Sequence, residues 1–181
     1  MSVEPLVYKD TIQNILTVVE GKLSPRIVER LQREALIDVN ALVASYPLKA
    51  HDAMVKVLSE ELCPTKSIDE ATYELGMSMM GRYGDSLLGK ALFAVIRMLG
   101  PMKVLKRVPE YFKQGNNYAD VKIEVTGPSS YILDHNEVGA WPHYVRGSMH
   151  GSGKVIGLKG HAVELLSYDG HRATLRVSWD E

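Results

Sequence analysis

Six histidines, a single cysteine and one glycine-rich segment ending in lysine are the residues of this chain whose types could do chemistry. The histidines are His51, His135, His143, His150, His161 and His171. No two of them stand in the HxxxH or HExxH spacing that puts two imidazoles on one helical face, and Cys63 has no second cysteine, so a zinc site has no ligand set. His135 and His143 flank Asp134 and Glu137 in a loop-like stretch, where an acid–base pair or a metal site competes with an ordinary polar loop. His51 lies on an amphipathic helix, the setting of an axial haem ligand and, more often, of a plain surface or core histidine. Gly147-Ser-Met-His-Gly-Ser-Gly-Lys154 invites comparison with a phosphate loop. That motif needs glycine where Ser148 stands and serine or threonine where Val155 stands, and no apolar strand leads into it. Ser129-Ser130 lacks the Gly-x-Ser-x-Gly frame of a hydrolase nucleophile. Cys63 precedes Pro64 without an activating cation and reads as a packed thiol. No catalytic set is complete, and the expectation is a non-enzyme.

The stretch from Ile68 to Pro109 must organise whatever the chain binds. Ser67 with Glu70 three residues later is a capping box. Leu75, Met79 and Met80, then Leu87, Leu88, Leu92, Val95, Ile96 and Leu99, recur at helical spacing. Ala94 to Ile96 is apolar on more than one face, which predicts a helix packed on several sides. Gly76, Gly81, Gly84 and Gly89 interrupt the pattern, each costing a helix about 1 kcal/mol against alanine. Either a backbone or a flat ligand comes close there, or Gly84-Asp85-Ser86 is a break with Ser86 capping a second helix. Gly147 with Gly151, and Gly153 with Gly157, are four apart and predict a smooth groove for a neighbouring helix or sheet. Met77, Met79, Met80, Met98 and Met102 suit an adaptable apolar pocket and equally suit a core. Met77, Met80, Gly81, Gly84 and Tyr144 are the candidate ligand-binding residues.

Around this stretch the remaining elements follow in order. Leu6-Val7-Tyr8 reads as a short strand or arm. Thr11 to Val19 is an amphipathic helix ended by Gly21. Ser24-Pro25 caps another, with Arg26, Glu29, Arg30 and Arg33 forming a solvated face. Val39 to Ser45 reads as a short turn of helix. Pro47 starts a helix with Ala50, Met54, Val57, Leu58 and Leu62 inward, ended by Cys63-Pro64. Pro101 opens a further helix carrying Met102 and Leu105, with Tyr111-Phe112 after a break at Pro109. Beyond Gly115-Asn116-Asn117 the period changes to two: Val121, Ile123 and Val125 alternate with Lys122 and Glu124. Ser130 to Asp134 is a second strand, and Pro142 to Leu158 a glycine-rich helix. His161–Ser167 and Arg172–Ser178 form a hairpin across Asp169-Gly170. The reading is α+β, an N-terminal helical part (about 1–117) packed on a C-terminal antiparallel sheet (about 118–181) in a single domain. Hydrophobic residues are 45% and charged residues 24%, ordinary globular composition. The net charge of −1 gives no global attraction to nucleic acid. The start lacks a signal peptide, no apolar run is long enough for membrane insertion, and a reducing cytoplasm is the expected compartment.

The ordered series Pro5-Leu6-Val7-Tyr8, Leu36-Ile37-Asp38-Val39, Tyr46-Pro47, Glu70-Ala71, Leu75-Gly76, Met98-Leu99-Gly100-Pro101, Asn116-Asn117-Tyr118, Tyr144-Val145-Arg146-Gly147 and Val177-Ser178-Trp179 resembles a bacterial family of unknown function abundant in myxobacteria. More distantly the helix-then-strand order is similar to the superfamily of haem-based nitric-oxide sensors, vinyl-reductase-type small-molecule-binding domains and vesicle-tethering subunits. That resemblance implies a cavity between helices and sheet for haem, an acyl chain or another apolar ligand. The haem sensors' Tyr-x-Ser-x-Arg clamp is replaced by Tyr144-Val145-Arg146, and no histidine occurs from Ile68 to Asp134. The expectation is therefore a cofactor-free, non-enzymatic module of bacterial signalling that binds an apolar small molecule or lipid. The alternative is an interaction or scaffolding subunit, a homodimer or the partner of another protein, with no ligand pocket.

Overall fold

The computed structural model describes residues 4–85, 87–104 and 108–180, with side chains except at 83, 85, 87–89, 92 and 111. The leading segment is a strand, β1 (Leu6–Tyr8), paired antiparallel with β2 (Ser45–Pro47), Val7 opposite Tyr46. Helix α1 (Lys9–Val19) turns through a 3-10 segment, Glu20–Lys22, into α2 (Pro25–Glu34). Ser24 caps α2 by accepting from the Ile27 amide at 3.3 Å, with Pro25 at the first position, where its missing N–H costs nothing. Helix α3 (Leu48–Leu62) follows β2. The short helix expected at 39–45 is absent: those residues form turns, and Ser45 already belongs to β2.

Four apolar surfaces close the first core. Ile12, Ile15, Leu31, Ile37, Met54, Val57 and Leu58 are fully buried, and Leu75 joins them from the next helix. The arginine face expected to be solvated is instead partly a tie between helices. Arg30 donates to Glu34 on its own helix and to Glu60 and Glu61 on α3 at 2.7–2.9 Å, and these carboxylates hold its guanidinium firmly charged.

Helix α4 (Ile68–Asp85) starts at the expected capping box: the Glu70 amide donates to Ser67 Oγ and the Ser67 amide to the Glu70 carboxylate. Helix α5 (Leu87–Leu99) follows, and then come α6 (Pro101–Val104) and α7 (Val108–Gln114). The cap expected at Ser86 and the inward positions expected for Leu87, Leu88, Leu92, Leu105 and Tyr111 lie outside the described residues and side chains. Helix α5 departs from expectation. Phe93 is buried, yet Val95, Met98 and Leu99 are 44%, 76% and 44% exposed, so this helix is not packed on several sides.

The C-terminal part is one antiparallel sheet of β3 (Val121–Gly127), β4 (Ser130–His135), β5 (Ala162–Tyr168) and β6 (Ala173–Ser178) in the order β3-β4-β6-β5. Leu133 faces Ile123 on one side and Leu175 on the other. Tyr131, Leu133, Val163, Leu175 and Val177 make the second core. Helix α8 (Pro142–Ile156) crosses between β4 and β5, and Gly157 at its end takes the left-handed φ of +83° that stops a helix. The molecule is α+β, with the helical part first and the antiparallel sheet last, as its sequence predicts.

Candidate ligand site between the helices and the sheet

Helix α8 lies between the two cores and touches both. Tyr144 packs against the first core, with His51 at 5.8 Å centroid to centroid; Val145 and Met149 pack against the second. Burial raises the Tyr144 phenol above its ordinary pKa, because a phenolate there would be desolvated.

The face of α8 toward α4 has almost no side chains, and the helix backbones meet. A Cβ on Gly76 would lie 2.2 Å from the Tyr144 carbonyl oxygen, and one on Gly147 2.1 Å from that of Tyr73. A Cβ on Gly151 would lie 2.8 Å from the Met77 carbonyl oxygen and 3.0 Å from Met80 Cβ, and one on Gly84 2.6 Å from the Val155 side chain. The groove expected of Gly147 and Gly151 therefore exists and is filled by α4. The second expected pair does not act as one: Gly153 carries the ring of His161 in place of a Cβ, while Gly157 is the helix stop. Among the candidate ligand residues, Met77 and Met80 are half-buried against α8, Gly84 lies against Val155, and Tyr144 faces the first core. Gly81 is exposed with nothing near its missing Cβ. The structure thus brings Met77, Met80 and Gly84 to one seam, leaves Gly81 outside it, and fills the seam with backbone.

Polar side chains line the edge of this seam. The Tyr73 hydroxyl and His150 Nδ1 share a hydrogen bond, and the His150 and His161 rings meet edge to face at 5.2 Å. The Arg146 guanidinium lies over Tyr73 at 4.8 Å, donates to the Val163 carbonyl and contacts His143. Burial lowers both His150 and His161, the latter to about 4, so both are neutral at pH 7. A groove of about 440 Å³ opens beside them, lined by Lys66, Asp69, Glu70, Tyr73, His143 and Arg146. Its charges are largely spent internally: Lys66 pairs with Glu74 at 2.9 Å, and Glu70 is committed to the cap. The set ties α4 to α8 and β5, and it holds no activated nucleophile.

The second core is closed differently. Its buried sheet residues are roofed by Met102 of α6, Val108 and Phe112 of α7, and Val145 and Met149 of α8, all half-buried. His135, 3% exposed at the end of β4, meets Phe112 edge to face at 4.9 Å. Its Nδ1 accepts from the Glu137 amide at 3.2 Å, and burial pushes its pKa down to about 4. The ring is therefore neutral, and its proton sits on Nε2. This combination of apolar roof and neutral polar group has the chemistry of a site for an apolar ligand carrying one hydrogen-bonding end. Sequence reading placed His135 in a loop. The signal for its burial was the alternation Tyr131, Leu133, His135, which continues the inward face of β4. His143 is on α8 instead, 3.7 Å from Asp69, so the acid–base or metal pairing considered for His135 and His143 does not form. Among the described residues no group of three histidine, cysteine or carboxylate side chains is placed to hold a metal ion.

Facing the first core, α3 grips the chain just before α8. Asp52 accepts from the Ala140 amide at 3.0 Å, and its carbonyl accepts from the Trp141 indole at 2.8 Å. Gly139, at φ +65°, brings its backbone against the carboxylate, where a Cβ would lie 2.3 Å from Asp52 Oδ1.

Haem does not fit the residues described. A tetrapyrrole has no slot between α4 and α8, where backbone touches backbone. His51 is packed on Tyr144 and next to Asp52, His135 on Phe112, His150 is bonded to Tyr73, and His161 lies on Gly153.

The protein family of unknown function DUF2378 matches residues 5–180, and the chain belongs to that family. No curated protein matches the chain by sequence. Its fold is that of the H-NOX proteins. An Fe(II) unliganded H-NOX protein from K. algicida superposes with a TM-score of 0.68 at 15% identity, over 96% of this chain and 97% of the other. A doubly substituted Tt H-NOX gives 0.69 at 13% identity, covering 96% and 95%. A structure from work on H-NOX activation gives 0.68 at 13%, covering 97% of each chain.

Proposed function

We propose that this member of the DUF2378 family is a non-enzymatic sensory module that binds an apolar small molecule or lipid under the roof of the second core, without haem. One observation carries the reading. The seam between α4 and α8 is filled with backbone, whereas the sheet core is covered by half-buried, flexible side chains, two of them methionines, with the neutral His135 beside them. The H-NOX-like fold supports the general kind of module, and the absence of a complete catalytic set among the described residues supports a role without chemistry. A cytoplasmic signalling role belongs to the same proposal.

Native mass spectrometry of the purified protein, with an organic extract run beside it, tests the proposal. An apolar molecule at about one copy per chain is expected, as is saturable binding of cis-parinaric acid by protein freed of it. Met149→Trp fills the roof and should weaken the probe at least tenfold while the melting temperature holds within a few degrees. Protein with no extractable molecule and no saturable probe binding overturns the reading. It would leave the second one, a closed interaction or scaffolding subunit acting as a homodimer or with another protein. The α4–α8 seam, filled with backbone, favours that alternative.

A further inference from the structure

Helix α5 leaves an apolar face uncovered. Phe93 is buried and Ile96 half-buried on one side, while Ala91, Ala94, Val95, Met98 and Leu99 are exposed on the other. At about 100° per residue these five span one continuous arc with Met98 near its centre. Lys90 and Arg97, seven residues apart, lie together at one edge of that arc, and both are exposed. Arg97 also donates to the Val155 carbonyl near the end of α8, so the helix is anchored by its cationic edge. Lys103 continues the exposed cations onto α6.

Charge is segregated in the same place. Residues 86–109 contain Lys90, Arg97, Lys103, Lys106 and Arg107 and not one aspartate or glutamate, although the chain as a whole has a net charge of −1. An apolar ridge edged by cations on long, flexible stems is the pattern of a helix that lies in the plane of a lipid headgroup layer. A second copy would set like charges against each other. The surface is also a convex helix crowned by a methionine rather than a groove, which suits a deformable layer better than a shaped protein.

We propose that α5, with α6, docks in-plane on an anionic lipid bilayer, Met98 and Val95 entering the headgroup region and Lys90, Arg97 and Lys103 meeting lipid phosphates. No helix among the described residues is long and apolar enough to cross a membrane, so the contact is peripheral. It does not depend on a ligand under the second core.

Flotation of the full chain with vesicles tests this. Phosphatidylcholine vesicles containing one third phosphatidylglycerol should carry the protein up, and pure phosphatidylcholine vesicles should not. Raising salt should release it, since screening shortens electrostatic reach to about 3 Å at molar salt. Met98→Asp should abolish flotation, and Lys103→Glu should weaken it roughly tenfold or more. Lys49→Glu makes the same charge change at an exposed site on α3 and should leave flotation unchanged. All three residues are exposed, so each variant should keep the parent's circular dichroism. Equal flotation with neutral vesicles overturns the proposal, and so does a Met98→Asp variant that still floats. Protein left in the soluble fraction with anionic vesicles overturns it in favour of an acid-rimmed protein. A dimer in light scattering that Met98→Asp dissociates overturns it in favour of a second copy.

Discussion

A methyl group added at Gly76 would have to displace the Tyr144 carbonyl and the Ser148 amide, 2.2 and 2.9 Å away, and neither can rotate aside as a side chain would. Gly76→Ala therefore separates two helices along their whole contact. Alanine's better helix propensity returns about 1 kcal/mol, less than the strain of forcing a packed seam apart, so a net loss of about 1–3 kcal/mol is expected. Gly147→Ala meets the Tyr73 carbonyl on the other side of the same seam and should cost a similar amount. Once the first methyl has parted the helices the second has less left to disturb, so the double variant should lose clearly less than the sum. Chemical denaturation of both single variants and the double variant measures this; strict additivity would show that the contacts are independent. Gly81 is the opposite case. It is exposed, with open space where its Cβ would be, so Gly81→Leu should leave the fold intact and raise stability by up to about 1 kcal/mol. A marked loss in the same melt would mean Gly81 lines a packed surface after all. The sequence showed that the glycines of α4 were costly and offered two reasons for them, close approach or a break at Gly84-Asp85-Ser86. It could not show which of them serve close approach, because that depends on how α8 is rotated against α4.

Elements whose signals are local were legible. Ser24-Pro25, the Ser67–Glu70 box, the period-two run from Val121 and the Asp169-Gly170 turn each fix their structure through contacts a few residues apart, and each is found where expected. Elements set by distant partners were not. Ser45–Pro47 is a strand only because Leu6–Tyr8 lies beside it, so the apolar run before it was mistaken for helix. Arg30 on α2 was taken as solvated because its partners Glu60 and Glu61 are thirty residues away. Leu36 takes a left-handed φ of +57° at the end of α2, a position that usually selects glycine, and nothing in its neighbours announces this. Helix α5 shows the general difficulty most clearly. Its composition states that it needs cover on several sides, and composition cannot say that the described residues leave Val95, Met98 and Leu99 exposed. Of the candidate site, the methionines and glycines of α4 were visible as unusual. The roof over the sheet was not, since Met102, Phe112 and Met149 converge from three helices that sequence reading placed separately.

Acid stability joins these parts at the scale of the whole molecule. His135 is buried neutral, with a native pKa of about 4 against an ordinary 6.5. Between those values the unfolded chain binds a proton that the folded chain refuses, so folding stability falls as pH drops. Above about pH 6.5 both states are neutral and the group contributes no slope. By pH 5 the loss from this residue alone is about 2 kcal/mol, or some 4–8 °C for a chain of this size. His150 and His161 are lowered by burial too and act in the same direction, whereas Asp134 and Asp169, held below their ordinary range by hydrogen bonds, add to the loss at more acid pH. Melting temperature should therefore be flat above pH 7 and decline steeply from pH 6.5 to pH 4. His135→Asn keeps an acceptor for the Glu137 amide while removing the titration, so its melting curve should lose about half of the decline between pH 7 and pH 5. Because His135 stands beside Phe112 under the sheet's roof, a ligand seated against the neutral ring competes with its protonation, so the stabilisation a ligand gives should be nearly the same at pH 7 and pH 5 and shrink as pH falls to about 4. Parallel melts at pH 7, 5 and 4 with and without the methyl ester of cis-parinaric acid, which does not titrate, read that linkage: a stabilisation undiminished at pH 4 would place the ligand away from His135.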